Sequence, residues 1–119
     1  MPGSDQPGNW GDRHEEQIAF IYRDPTGRRI FVKERGEIIS HLVNSIDFFK
    51  SLHKMYNLHK RGEQEFGFLP YHGELIEERI NALKEELNKY LYDSKFYDYV
   101  QLFVSKGGNV KKAEQCLTN

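Results

Sequence analysis

The tetrapeptide Asp24-Pro25-Thr26-Gly27 constrains this chain more than any other stretch. Aspartate suits the first position of a type I turn, because its side chain can bond the backbone two residues on. Proline fixes φ at the second position. Glycine then supplies the left-handed conformation that other residues avoid. Together they specify a type I turn followed by a G1 bulge, the three-residue loop of a β-hairpin. The flanks agree: Gln17–Arg23 and Arg28–Glu34 are rich in Ile, Phe, Tyr and Val and read as strands.

The turn also sets a register. Closing Asp24 against Arg28 puts Tyr22 opposite Ile30, Phe20 opposite Val32 and Ile18 opposite Glu34. One face then carries Ile18, Phe20, Tyr22, Ile30 and Val32, and the other carries Ala19, Ile21, Arg23, Arg29, Phe31 and Lys33. A slip of one residue would mix the two sets, so the apolar pattern supports the turn. A two-stranded hairpin is marginal alone, and the first face is the better apolar set, so it is expected to lie on helices. Ile21 and Phe31 are then left outside, with Arg23 and Arg29 opposed. That repulsion calls for an acidic group between them, from the stretch 74–86 of the same chain or from a partner.

Helical periodicity follows. Over 37–60, Ile38, Ile39, Leu42, Val43, Ile46, Phe49, Leu52 and Tyr56 form one broad stripe. His53 falls within it, where histidine is more often a neutral, hydrogen-bonded core residue than a catalyst. Phe48, Leu52 and Met55 make a side ridge, expected to pack internally. Arg61–Gly73 reads as a loop whose Phe66, Phe68, Leu69 and Tyr71 must pack onto something. Over 74–92, Ile76, Ile80, Leu83, Leu87 and Tyr90 follow the seam spacing of an antiparallel helix pair, with Glu85 and Lys89 forming a surface pair. A third helix, capped by Ser94, is expected over 95–106, with Phe96, Val100, Phe103 and Val104 on one face. Gly107-Gly108 stops it, and Asn109 caps a last short helix carrying Val110, Ala113 and Leu117. The fold class is thus α+β: an N-terminal two-stranded antiparallel hairpin packed on a three- to four-helix bundle-like arrangement.

The bulk properties fit one domain over 17–119 behind a flexible tail, 1–16, in which Trp10 is the single large apolar side chain. One Trp, seven Tyr and eight Phe supply burial, which argues against disorder throughout. No apolar run approaches the ~18 residues of a membrane span, and residues 1–5 lack the basic and apolar parts of a secretory signal. Cys116 is the sole cysteine, which fits a reducing, cytoplasmic compartment. Net charge alternates: −3 over 1–22, +5 over 23–61, −5 over 62–98 and +2 over 99–119. Such blocks can pair within one domain or attract a charged partner.

Residue patterns that carry chemistry are few. None of His14, His41, His53, His59 and His72 makes a His-x-x-x-His pair, and Cys116 has no nearby Cys or His. There is no Gly-x-Ser-x-Gly elbow, and Ser105-Lys106-Gly107-Gly108 lacks the spacing of a phosphate loop. Cys116 reads as a packing residue. No cofactor is expected.

Three local resemblances stand out. Pro70–Lys89, with Phe48–Lys54 before it, resembles the first motif and entry helices of the MazG-like nucleotide pyrophosphohydrolases, over about 40 residues. The resemblance implies that acidic clusters on two helices hold Mg²⁺. Glu85 and Glu86 match the first two acids. Lys89 stands at the third, and the second motif, Glu-x-x-Asp, has Lys95 before Asp98. With those departures no Mg²⁺-dependent nucleotide hydrolysis is expected. Gly108–Ala113 resembles the first helix of a Fis-type helix-turn-helix, with no recognition helix after it. Tyr99–Val110 resembles the second helix of an ankyrin repeat, of which a solenoid needs about three.

The expected function is therefore a non-catalytic protein-interaction module, such as an adaptor, inhibitor or assembly subunit. It would use the hairpin's edge and its face of Ile21, Arg23, Arg29, Phe31 and Lys33. The partner would be a protein, or a second copy of the chain, and not a membrane. The alternative is nucleotide or nucleic-acid binding, including a degenerate MazG-like relative, with Arg23, Arg28, Arg29, Lys33, Lys50, Lys54, Lys60 and Arg61 contacting phosphates.

Overall fold

A computed structural model describes residues 19–118 of the chain. The expected tail 1–16 with Trp10, and the first strand residues Gln17 and Ile18, lie outside that range. The elements run β1 (Phe20–Arg23), β2 (Arg29–Val32), α1 (Gly36–Lys60), α2 (His72–Tyr92), a 3₁₀ turn (Ser94–Phe96), α3 (Tyr97–Ser105) and α4 (Val110–Gln115). This is an α+β arrangement in which one antiparallel hairpin lies on helices. No described helix is long and apolar enough to cross a membrane.

The turn forms as its residues require. Gly27 N–H donates to the Asp24 carbonyl at 2.9 Å, and Asp24 N–H donates to the Arg28 carbonyl at 2.8 Å. Gly27 has φ +93°, which accommodates the bulge without a Cβ penalty. The register follows from it: Phe20 pairs with Val32, Ile21 with Phe31, Tyr22 with Ile30 and Arg23 with Arg29. The ladder is shorter than the composition suggests, ending at Val32; Lys33 already lies in the bend that leads into α1.

Tyr22 and Val32 are buried in the core and Ile30 packs against it. Phe20 departs from expectation, remaining 39% exposed although it belongs to the inner face. Val32, opposite it, is fully buried. It lies on the strand that runs directly into α1, whereas Phe20 lies on the far strand at the hairpin's open end.

The α1 stripe is buried only in its first half: Ile38, Ile39, Leu42, Val43 and Ile46 are core, whereas Phe49, Leu52 and Tyr56 are half-buried. The reason is coverage. Helix α2 packs along both halves of α1; the hairpin and α3 also cover the N-terminal half, where the C-terminal half has the aromatic loop. All five seam residues of α2 are buried. Tyr56 lies against Gly73 and His53 against Glu77, so α1 and α2 run antiparallel. The side ridge is not internal: Phe48 is 58% exposed and Met55 is at the surface. The loop between α1 and α2 folds back through Phe68. Its ring meets those of Tyr56, His59, Phe66 and His72 edge-on.

At the C-terminal end, Asp93 rather than Ser94 is the cap, accepting from Lys95 N–H at 3.1 Å. Tyr90, Phe96 and Tyr99 then stack together. Val104 is exposed rather than core-facing. Gly108 N–H bonds the Phe103 carbonyl and Gly107 N–H bonds that of Val104, with Gly107 at φ +93°. This is the Schellman closure that two successive glycines permit. Asn109 Oδ1 caps α4 at Lys112 N–H, and Ala113 and Cys116 complete the core.

Candidate functional site

The five residues singled out on the hairpin are all exposed. Ile21 is 58% and Phe31 77% exposed, facing each other across the ladder, with Arg23 opposite Arg29 beside them. Lys33 is exposed just past β2, and its N–H donates to Glu37 Oε1 at 3.1 Å. Phe31 is the most exposed large apolar side chain described.

The acidic stretch 74–86 does not sit between the arginines, as one expectation had it. Its described partners are elsewhere: Glu77 lies 3.3 Å from His53, and Glu86 bonds Tyr22 and Lys89. Among the described residues, no carboxylate lies within ion-pair distance of Arg23, Arg29 or Lys33.

Beneath this face lies a buried polar knot that sequence reasoning did not assemble. Asp24 is 3% exposed. Its Oδ1 accepts from Thr26 N–H (2.9 Å), Thr26 Oγ1–H (2.6 Å) and Arg28 N–H (3.1 Å). Its Oδ2 lies 2.7 Å from His41 Nε2 on α1. One carboxylate thus shapes the turn with one oxygen and fastens the hairpin to the helix with the other. Tyr22 makes a second fastening, its hydroxyl donating to Glu86 Oε2 on α2 at 2.7 Å. Burial foremost, and then Glu86, push the Tyr22 phenol pKa far up, so it stays a donor.

Ser45, also buried, lies 3.4 Å from the same His41 Nε2. Asp, His and Ser therefore meet, but not as a nucleophilic triad. In a triad the acid and the hydroxyl engage different imidazole nitrogens. Here both face Nε2. An ionised carboxylate only accepts, so Nε2 carries the proton toward Asp24 and cannot take one from Ser45. The knot is a fastening.

Asp24 titrates below its ordinary value of 3.8. Burial is the largest single influence and acts to raise it. The bonds from the Thr26 side chain, His41 and the Thr26 and Arg28 backbones together outweigh burial. The folded value is the lower one, so this stabilisation is complete above pH 3.8 and is lost as pH falls through the folded value. Denaturant titrations stepped from about pH 6 to about pH 2 should show wild type losing stability more steeply at the acid end than Asp24→Asn, which has no proton to take up there.

The remaining candidates disperse. The basic residues of 23–61 do not form one patch. Arg23, Arg29 and Lys33 are on or beside the hairpin, Lys50 Nζ donates to the Cys116 carbonyl at 3.0 Å, and Arg61 pairs with Glu63 at 2.8 Å. Helix α1 alone, 25 residues, spans about 37 Å. A cleft of about 760 Å³ between α1 and α2 interleaves Asp47 and Glu77 with Lys50, His53 and Lys54, so it offers no field of one sign.

Of the acids in the MazG-like stretch, Glu85 is exposed and Glu86 is held by Tyr22 and by Lys89, 3.1 Å away. Lys89 pairs with Glu86, not with Glu85 as expected. No group of three or more His, Cys, Asp or Glu that could hold a metal ion occurs among the described residues. His53 is half-buried at the α1–α2 rim beside Glu77, not in the core. Burial pushes the Cys116 thiol pKa up, away from nucleophilic character.

Comparison with known proteins yields no matching family model, no matching curated protein and no matching solved structure.

Proposed function

We propose that this chain is a protein-interaction module whose docking surface is the outer face of the hairpin. The observation that carries the reading is the exposed Ile21–Phe31 pair next to the opposed Arg23–Arg29 pair, on a strand ladder fixed from beneath by Asp24 and Tyr22. Exposed apolar side chains ringed by arginine are the usual make-up of a protein interface. Rigid support beneath them lowers the ordering cost of binding.

The double variant Ile21→Glu, Phe31→Glu should fold with nearly wild-type stability, since surface substitutions usually change stability by less than about 0.5 kcal/mol each. Co-precipitation from cells should then show partners of the full chain that Phe48→Glu keeps and the double variant loses. A double variant that fails to fold would mean the face is core. One that folds and keeps the same partners would mean the contact surface is elsewhere.

A further inference from the structure

Resting on that reading of the hairpin, we propose that the surface takes an extended acidic segment of a partner protein. The segment is added antiparallel to β2 as a third strand, in an acid–x–apolar–x–acid pattern.

The backbone comes first. Asp24 N–H bonds the Arg28 carbonyl, so that pair is hydrogen-bonded. Hydrogen-bonded and non-hydrogen-bonded pairs alternate along an antiparallel ladder, which makes Arg23–Arg29 and Ile21–Phe31 the non-bonded pairs. The N–H and C=O groups of Arg29 and Phe31 therefore point away from β1, along the outer edge of β2. The next outward N–H, that of Lys33, is taken by Glu37 Oε1, which ends the edge there. The edge thus offers donors and acceptors in turn, which another strand satisfies and the phosphates of a nucleic acid, acceptors only, do not.

The side chains select the segment. Arg29 precedes Phe31 by two residues, Lys33 follows it by two, and all three are exposed. Phe31 is thus bracketed by cations, with Arg23 adding a third across the ladder. In a third strand ~4.8 Å away, directly opposed side chains lie ~5 Å apart. An apolar residue opposite Phe31, an acid opposite Arg29 and an acid toward Lys33 complement what β2 presents. Edge β1 lacks this bracket: among the described residues, Ala19 and Arg23 flank Ile21, and one of the two is a cation.

The test is fluorescence anisotropy on the full chain with labelled Thr-Glu-Thr-Ile-Thr-Glu-Thr and a scrambled Ile-Thr-Thr-Glu-Glu-Thr-Thr. The patterned peptide should bind at least about tenfold tighter and weaken with added salt. Methylating the amides of Ile and the second Glu, which face Phe31 and Arg29 of β2 in antiparallel pairing, should weaken it by more than about tenfold. Methylating the intervening Thr amides should leave binding within about threefold.

Equal binding of the scramble, or equal effects of the two methylation sets, overturns strand addition. If neither peptide binds but Ile21→Glu, Phe31→Glu still strips the cellular partners, the docking surface stands and this inference falls. If the peptides fail and the partners persist, both fall. If sedimentation shows a dimer that Phe31→Glu dissociates, the occupant is a second copy and the acidic-segment inference is overturned.

Discussion

Gly36→Val is expected to cost about 3 kcal/mol, lowering the melting temperature by roughly 15 °C. A Cβ at Gly36 would lie 2.6 Å from Phe103 N, 2.8 Å from Leu102 C and 2.9 Å from Phe103 Cα. All three are backbone atoms of α3, so no rotamer change relieves the clash. The first turn of α1 and the middle of α3 would have to separate, and Phe103, buried with Ile38 and Ile39 in one core, would move with them. Gly36→Ala already carries the offending atom and should be destabilising despite the better helix propensity of alanine. Gly73 is the control. The three atoms nearest a Cβ there all belong to the far end of the Tyr56 side chain, which can shift where a backbone cannot, so Gly73→Ala should cost clearly less. Thermal denaturation of the three variants checks the order. Gly36→Ala as stable as wild type would mean that α1 and α3 are not in backbone contact.

Asp24→Ala is expected to cost about 3–4 kcal/mol, from the cumulative loss of partners for several half-buried donors. Thr26 N–H, Arg28 N–H and His41 Nε2 each lose their acceptor. The turn loses its local organiser and the hairpin its fastening to α1 in the same substitution. Asp24→Asn separates the two roles. Its amide oxygen can still serve the turn, while its NH₂ faces His41 without the charge. A loss of about half that of alanine is expected, measured by urea titration at neutral pH. If alanine and asparagine cost the same small amount, the buried knot is not what holds the hairpin down.

How much of this was legible in the sequence depends on how local the cause is. The turn, its bulge, the strand register and the outward position of Ile21 and Phe31 follow from four residues and a period of two. The α2 seam was equally legible, because its five periodic positions form one continuous buried stripe. The limits have a common origin. Periodicity names the face of a helix but not how far along it the neighbours extend, so His53 shares the face of a core that ends before it. Asp24 could be read for its bond to the turn, since that partner is two residues away. Its second oxygen is used by His41, 17 positions on, and nothing local marks that. One signal was present: Ile38, His41, Leu42 and Ser45 have the spacing of a single helix face, which puts two polar residues against an apolar stripe. The candidate face was legible for the same reason the register was. Its backbone edge is not legible residue by residue, because that requires knowing which ladder pairs are hydrogen-bonded.

A photo-crosslinking amino acid placed at position 31 in the full chain, irradiated in living cells, tests the docking surface most directly. Position 48, on the exposed flank of α1, serves as the matched comparison. Discrete adducts to one or a few proteins from position 31, competed by the unmodified chain and absent from position 48, are the expected result. Adducts from position 48 with none from position 31 would contradict the hairpin face as the site of contact.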